Sequence, residues 1–181
     1  MVEGPKVNLK AERLQILVGQ CVGSIEIAML DGKTFEGRRI IEIFNVGKEL
    51  FILFEDITDA LRLHFGMNGS ERIVKTSSNS IPAPPGRKKL SGIIKMSVHS
   101  VVFFDTSLSI RKLTYVSKIR ALLNCDVMSD VFEIRTPLEV LKNDKRPVHE
   151  SIMDQLILPG VGMRISLFEP HCQLGLHLNS L

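Results

Sequence analysis

Between Cys21 and Tyr115 the chain is a succession of short apolar runs with a period of two, cut at close intervals by turn-forming residues. That pattern constrains the fold more than any other feature, because a period of two presents one face of a strand to a core. Ile25, Ile27 and Met29 alternate with Glu26 and Ala28 before Asp31-Gly32 turns the chain. Residues 39–46 alternate as well, and Glu49 to Phe54 is almost continuously apolar, as a strand covered on both faces is. Residues 55–59 form a polar turn, residues 60–65 return as a strand, and Gly66-Met67-Asn68-Gly69 breaks it. A short strand is expected over residues 71–75. Residues 76–89 contain Pro82, Pro84, Pro85 and Gly86 and read as a mobile loop. Residues 90–98 and 101–105 read as a hairpin, and residues 110–115 as a last strand. So many short strands imply an antiparallel β-sandwich or barrel.

Helical patterns flank this region. Over residues 5–18, Val7, Ala11, Leu14 and Val18 fall on one apolar face, and Gly19 ends the run. Residues 117–123 are helical in pattern. Thr136-Pro137-Leu138-Glu139 has the form of a capping box with Pro at the first helical position, opening a helix to about residue 142. Residues 147–158 read as another helix, with Ile152, Gln155 and Leu156 on neighbouring turns, stopped by Pro159-Gly160-Val161-Gly162. The strand-to-helix change places a domain boundary near residues 115–120.

Composition narrows the function classes. With 181 residues, 44% hydrophobic and 24% charged, the chain is globular rather than disordered. A net charge of +3 permits a local basic face without demanding nucleic acid. Cys21, Cys125 and Cys172 form no CxxC pair, so neither a disulfide framework nor a zinc finger is supported, and a reducing compartment fits. His171, Cys172 and His177 match no standard metal-ligand spacing. No signal peptide and no membrane span are expected.

The chemistry of the first residues is distinctive. Removal of Met1, which a small second residue permits, makes Val2 the N-terminus. Its amine, with an ordinary pKa of about 7.7–8.0, is far more nucleophilic near neutral pH than a lysine at about 10.4. Glu3 beside it can move protons. Pro5 suits the first turn of a helix, whose positive end favours anions near the amine.

Four stretches, in order, resemble the formamidopyrimidine-DNA glycosylase/endonuclease VIII family. They are Met1-Val2-Glu3-Gly4-Pro5, Gly47-Lys48-Glu49-Leu50-Phe51, the nonapeptide from Leu61 to Gly69, and the decapeptide from Met153 to Gly162. Val at the second position, rather than the family's usual Pro, is most similar to a vertebrate endonuclease VIII-like branch. The resemblance implies an α+β fold: an N-terminal helix and a two-layer antiparallel β-sandwich, then a partial helix-two-turn-helix segment. In these terms residues 1–116 are a catalytic domain, 117–162 part of a DNA-binding domain, and 163–181 a divergent tail.

It also implies roles. Val2 is the nucleophile that attacks C1′ of a damaged nucleotide and forms a Schiff base, after which β-elimination nicks the strand. Glu3 protonates the sugar ring oxygen, and Lys48 lies near the phosphate and reacting sugar. Met67 fills the hole left by an extruded base, a role suited to a flexible apolar wedge. Gly160 and Gly162 belong to a segment that holds phosphate with backbone amides. His64 is a hydrogen-bonded strand residue rather than a catalyst.

The departures from the family also carry expectations. After Asp105 the sequence Thr106-Ser107-Leu108-Ser109-Ile110 lacks the Arg–Phe pair that supports the opposite base of a duplex. This implies a preference for single-stranded DNA, with oxidised pyrimidines and hydantoins as substrates. Met163 stands where the family has Asn. The family's zinc finger lies beyond Leu181, so no cofactor is expected, and residues 163–181 read as a truncation or splice replacement. Such a form would expose apolar surface and bind DNA weakly. The alternative is a non-catalytic isoform that binds DNA or partners. A monomer resident in the nucleus completes what the resemblance implies.

Overall fold

The computed structural model describes residues 2–27, 30–76 and 82–163. Met29, most of the Pro-rich loop's first half (residues 77–81), and the tail with His171, Cys172 and His177 lie outside the described residues.

Helix α1 spans Gly4–Leu14, with Glu3 as N-cap and Pro in the first turn. Strands follow as β1 (Val22–Ile27), β2 (Ile40–Val46), β3 (Glu49–Phe54), β4 (Asp59–His64), β5 (Ser70–Lys75), β6 (Leu90–Met96), β7 (His99–Phe104) and β8 (Ser107–Lys112). They form two antiparallel four-stranded sheets, ordered β1-β6-β7-β5 and β2-β3-β4-β8. Helices α2 (Leu113–Arg120), α3 (Arg135–Asn143) and α4 (Val148–Met153) complete the described chain. This is the expected α+β sandwich: two separate sheets rather than one sheet closed into a barrel.

The alternation explains the layers. Ile25, Ile27, Ile94, Met96, Val101 and Phe103 from one sheet meet Ile43, Leu50, Ile52, Phe54, Leu61 and Leu63 from the other in a single apolar cluster. Val7, Ala11 and Leu14 of α1 join it. Strand β3 is buried on both faces, as its unbroken apolar run implies: Phe51 faces away from the core and packs with Ala60 and Val116 under α2.

Several local expectations are corrected. α1 stops at Leu14 and tightens into a 3-10 turn over Gln15–Leu17. A turn of about three residues brings Leu17, not Val18, round to the buried face, and Val18 is extended and exposed. β8 ends at Lys112 rather than residue 115, because Leu113 and Val116 are three apart and pack as a helix on the second sheet. α2 accordingly starts four residues before its expected first residue. The Thr136–Glu139 capping box does not form: α3 begins at Arg135 behind Ile134, without a side-chain cap, so Thr136 already lies in the first turn. α4 ends at Met153, not residue 158. Asp154 leaves helical geometry because its carboxylate accepts the Leu156 amide at 3.0 Å and Arg146 at 2.9 Å. The chain then turns through residues 155–158 into Pro159.

Candidate active site

The N-terminal strand of backbone before α1 enters the protein rather than leaving it. Val2 is half-buried against the core, and its nitrogen donates to the Gly66 carbonyl at 3.0 Å. Glu3 starts α1 through its backbone: its carbonyl accepts the Lys6 and Val7 amides at 3.0 and 3.1 Å. Its side chain forms no cap. It is buried instead, which costs free energy for a carboxylate unless charge or hydrogen bonds compensate.

Lys48 supplies such a charge. It sits in the two-residue turn between β2 and β3, where Val46 pairs with Glu49. Gly47, before it, has φ +56°, a conformation most side chains resist. Lys48 Nζ donates to the Val161 carbonyl at 2.7 Å. Burial holds its ammonium below the usual lysine value, while the nearby Glu3 charge pulls it back up. Gly162 marks where the groups converge: a Cβ there would lie 2.5 Å from Glu3 Oε1 and 3.0 Å from Lys48 Nζ.

The 159–162 loop that meets these groups is itself held by Gln155. The Gln155 amide nitrogen donates to Val161 O at 2.8 Å, and its oxygen accepts the Gly160 amide at 3.1 Å. Gly160, with φ +88°, sits backbone to backbone with Gly4 and Gly47, and Gly4 donates to its carbonyl at 3.0 Å. The Gly160 amide thus donates to Gln155, and the residue packs closely between Gly4 and Gly47. Met67 lies on the 66–68 turn that receives Val2, and it is 67% exposed. It is therefore not core filler.

His64 Nδ1 donates a hydrogen bond to Glu49 Oε1 at 3.1 Å, in a cluster where Arg62 also pairs with Glu49. Burial opposes ionisation of Glu49, but the His64 and Arg62 hydrogen bonds outweigh it and hold the carboxyl below its usual range. Asp126 was not signalled by the sequence. It is an isolated carboxylate in an irregular stretch, and its partner, the Gly47 amide, leaves no trace in sequence. Among the described residues no group of three or more His, Cys, Asp or Glu could hold a metal, and no helix is long and apolar enough to cross a membrane.

A helix entering two antiparallel four-stranded sheets, then helices, with the chain start folded against the β2–β3 turn, is the fold of the N-terminal domain of Fpg-type DNA glycosylases. A viral DNA glycosylase superposes with a TM-score of 0.74 at 16% identity, covering 89% of this chain and 66% of that one. Lactococcus lactis Fpg, in a complex with DNA containing an abasic site, gives 0.69 at 20% identity over 88% of this chain and 62% of that one. In sequence the chain is a homologue of the proteins named Endonuclease 8-like 3. It is 31% identical to the Xenopus laevis protein over 85% of its length and 30% identical to the Bos taurus protein over 90%. It spans 24% and 32% of the lengths of those two relatives. No protein-family model matches the chain.

Proposed function

We propose that this chain is a base-excision-repair DNA glycosylase with lyase activity, acting through the amine of Val2 once Met1 is removed. The observation that carries the reading is the convergence of the Glu3 carboxylate and Lys48 ammonium at Gly162, one residue from a nitrogen tethered to Gly66. The neutral Val2 amine attacks C1′ of the damaged nucleotide, and the bond from C1′ to the base breaks. Glu3 takes up the proton that the Val2 nitrogen loses on bonding to C1′ and delivers it to the ring oxygen as the C1′–O4′ bond opens, leaving a protonated imine between Val2 and C1′. Loss of a C2′ proton then expels the 3′ phosphate oxygen, which nicks the strand. Covalent capture divides one difficult substitution into easier steps. Lys48 attracts the flanking phosphate. Met67, solvent-exposed on the turn that holds the amine, takes the place of the extruded base.

The preferred DNA is single-stranded, with oxidised pyrimidines and hydantoins as the lesion classes. Supporting this, only Asp105 and Thr106 join β7 to β8. Both are engaged with β6 and its approach: Asp105 accepts the Lys89 amide at 3.0 Å and Thr106 donates to Ser91 Oγ at 2.9 Å. That connection offers no arm for an opposite strand. Action as a monomer in the nucleus belongs to the same reading.

A second reading, binding of DNA or a partner without turnover, is favoured by the apolar side chains that the helical segment exposes, Val131, Ile134, Val148 and Leu156 among them. Borohydride trapping on an abasic single strand separates the two. With Val2 free, the glycosylase reading expects a reduced covalent adduct that a chain retaining Met1 does not form. Absence of adduct from the processed chain leaves the binding reading in its place.

A further inference from the structure

Among the described residues, the buried acidic residues are Glu3 and Asp126, and the chemistry above uses only the first. Asp126 follows a 3-10 turn over Leu123–Cys125 and is 1% exposed. Its Oδ1 accepts the Met128 amide at 3.0 Å, a local contact, while Oδ2 accepts the Gly47 amide at 2.6 Å from the far side of the seam. A hydrogen bond to an ionised oxygen in a buried setting is a strong one. On its other side Gly47 meets the backbone of the 159–162 loop; a Cβ on it would lie 2.7 Å from the Pro159 carbonyl carbon. The turn is thus gripped from two directions, and the residue that follows Gly47 is Lys48.

We propose that Asp126 is a positioning residue: its carboxylate fixes the Gly47-Lys48 turn so that Lys48 Nζ stands between Val161 O and the Glu3 carboxylate. The inference rests on the reading of Val2, Glu3 and Lys48 as the reacting groups. Asp126 itself touches no substrate and moves no proton. Its two oxygens serve two N–H donors, which an acceptor-only carboxylate can do and an amide cannot. Asp126→Asn keeps the shape but turns one of the two oxygens into a donor facing a donor.

The test uses the full chain with Val2 free, and two readouts. The first is the pH dependence of acetic anhydride labelling at Lys48, read by peptide mass spectrometry. The second is the rate of borohydride trapping on an abasic single strand, in native and Lys48→Ala backgrounds. Thermal unfolding shows that each variant is folded at the assay temperature. Asp126→Asn is expected to return the Lys48 titration toward that of an ordinary lysine. Trapping should slow by about tenfold to 100-fold. In the Lys48→Ala background the same change should alter trapping by less than about twofold, since the effect passes through Lys48. If Asp126→Asn does not hold the fold, Asp126→Glu displaces the turn by one methylene and is expected to shift the Lys48 titration in the same direction. A Lys48 titration that superimposes on the native one overturns the inference, whatever the adduct does. A shifted titration in a chain that never forms an adduct supports the clamp and removes the glycosylase reading instead.

Discussion

Leu61, in the second sheet, and Val148, at the start of α4, are both branched aliphatics, yet the first is fully buried and the second is 69% exposed. The contrast extends across the molecule. In the sandwich, alternate residues of facing sheets interlock with α1 into one apolar cluster. Beyond α2, the helical segment exposes Val131, Ile134, Val140, Leu156 and Met163, and buries Ile157 and Val161 beside the seam. Its ties to the sandwich are largely backbone and polar: Gly4 N to Gly160 O, Gly47 N to Asp126, and Lys48 Nζ to Val161 O. Apolar burial contributes stability roughly in proportion to area, whereas a net hydrogen bond contributes about 1 kcal/mol and depends on geometry. The sandwich therefore holds the fold, and the seam holds the site. Site geometry can be lost while the sheets stay folded.

The largest effect expected is at the catalytic centre proposed for the seam. If Glu3 is the proton donor of that proposal, Glu3→Gln should slow base release and trapping by about 10²–10⁴-fold. Calorimetry should show the sandwich still unfolding cooperatively; loss of that transition would merge the two regions into one. Next comes the sandwich itself. Leu61→Ala should cost about 2–5 kcal/mol in denaturant unfolding, while Val148→Ala should stay within about 0.5 kcal/mol. Equal costs would erase the contrast. Gly160→Ala adds a Cβ at a strained φ, 3.0 Å from Gly4 Cα and 3.1 Å from Gly47 Cα. It should destabilise the seam by about 1–3 kcal/mol. Hydrogen exchange should then show earlier opening in residues 155–162, with β3 and β7 still protected.

The smallest effect concerns Glu49. Its folded carboxyl titrates below the unfolded one, so its pairing with Arg62 and His64 stabilises the protein at neutral pH and is lost as the pH falls through the folded value. Glu49→Gln should lower stability by about 1 kcal/mol or less near neutrality and leave it unchanged in strong acid. A mutant that loses as much stability in acid as at neutrality would contradict this assignment.

What was legible in the sequence follows the same division. Strand β3 has the bounds its apolar run implies, because a strand covered on both faces leaves an unbroken signature. The β8–α2 junction lies earlier than the sequence pattern implies, because Leu113 and Tyr115 are spaced as in a strand while Leu113 and Val116, spaced as in a helix, are the pair that packs on the second sheet. The capping box in α3 does not form because the helix starts at Arg135, one residue before Thr136. The long α4 fails because the side-chain bond from Arg146 to Asp154 links residues eight apart, which local pattern does not reveal. Glu3, Lys48 and Gly162 were singled out through family resemblance; no spacing in the sequence says that residues 3, 48 and 162 meet. Asp126 and the bridging role of Gln155 were not legible, since both act on backbone groups, which every residue carries alike.

The most direct test of the account is the location of the covalent bond. Processed protein reduced with borohydride on an abasic single strand, digested and mapped by mass spectrometry, should carry the sugar remnant on the Val2 nitrogen, and Glu3→Gln should nearly abolish it. A remnant on Lys48 or another lysine, or none on a chain shown to begin at Val2, would contradict the assignment of the terminal amine as the reacting group.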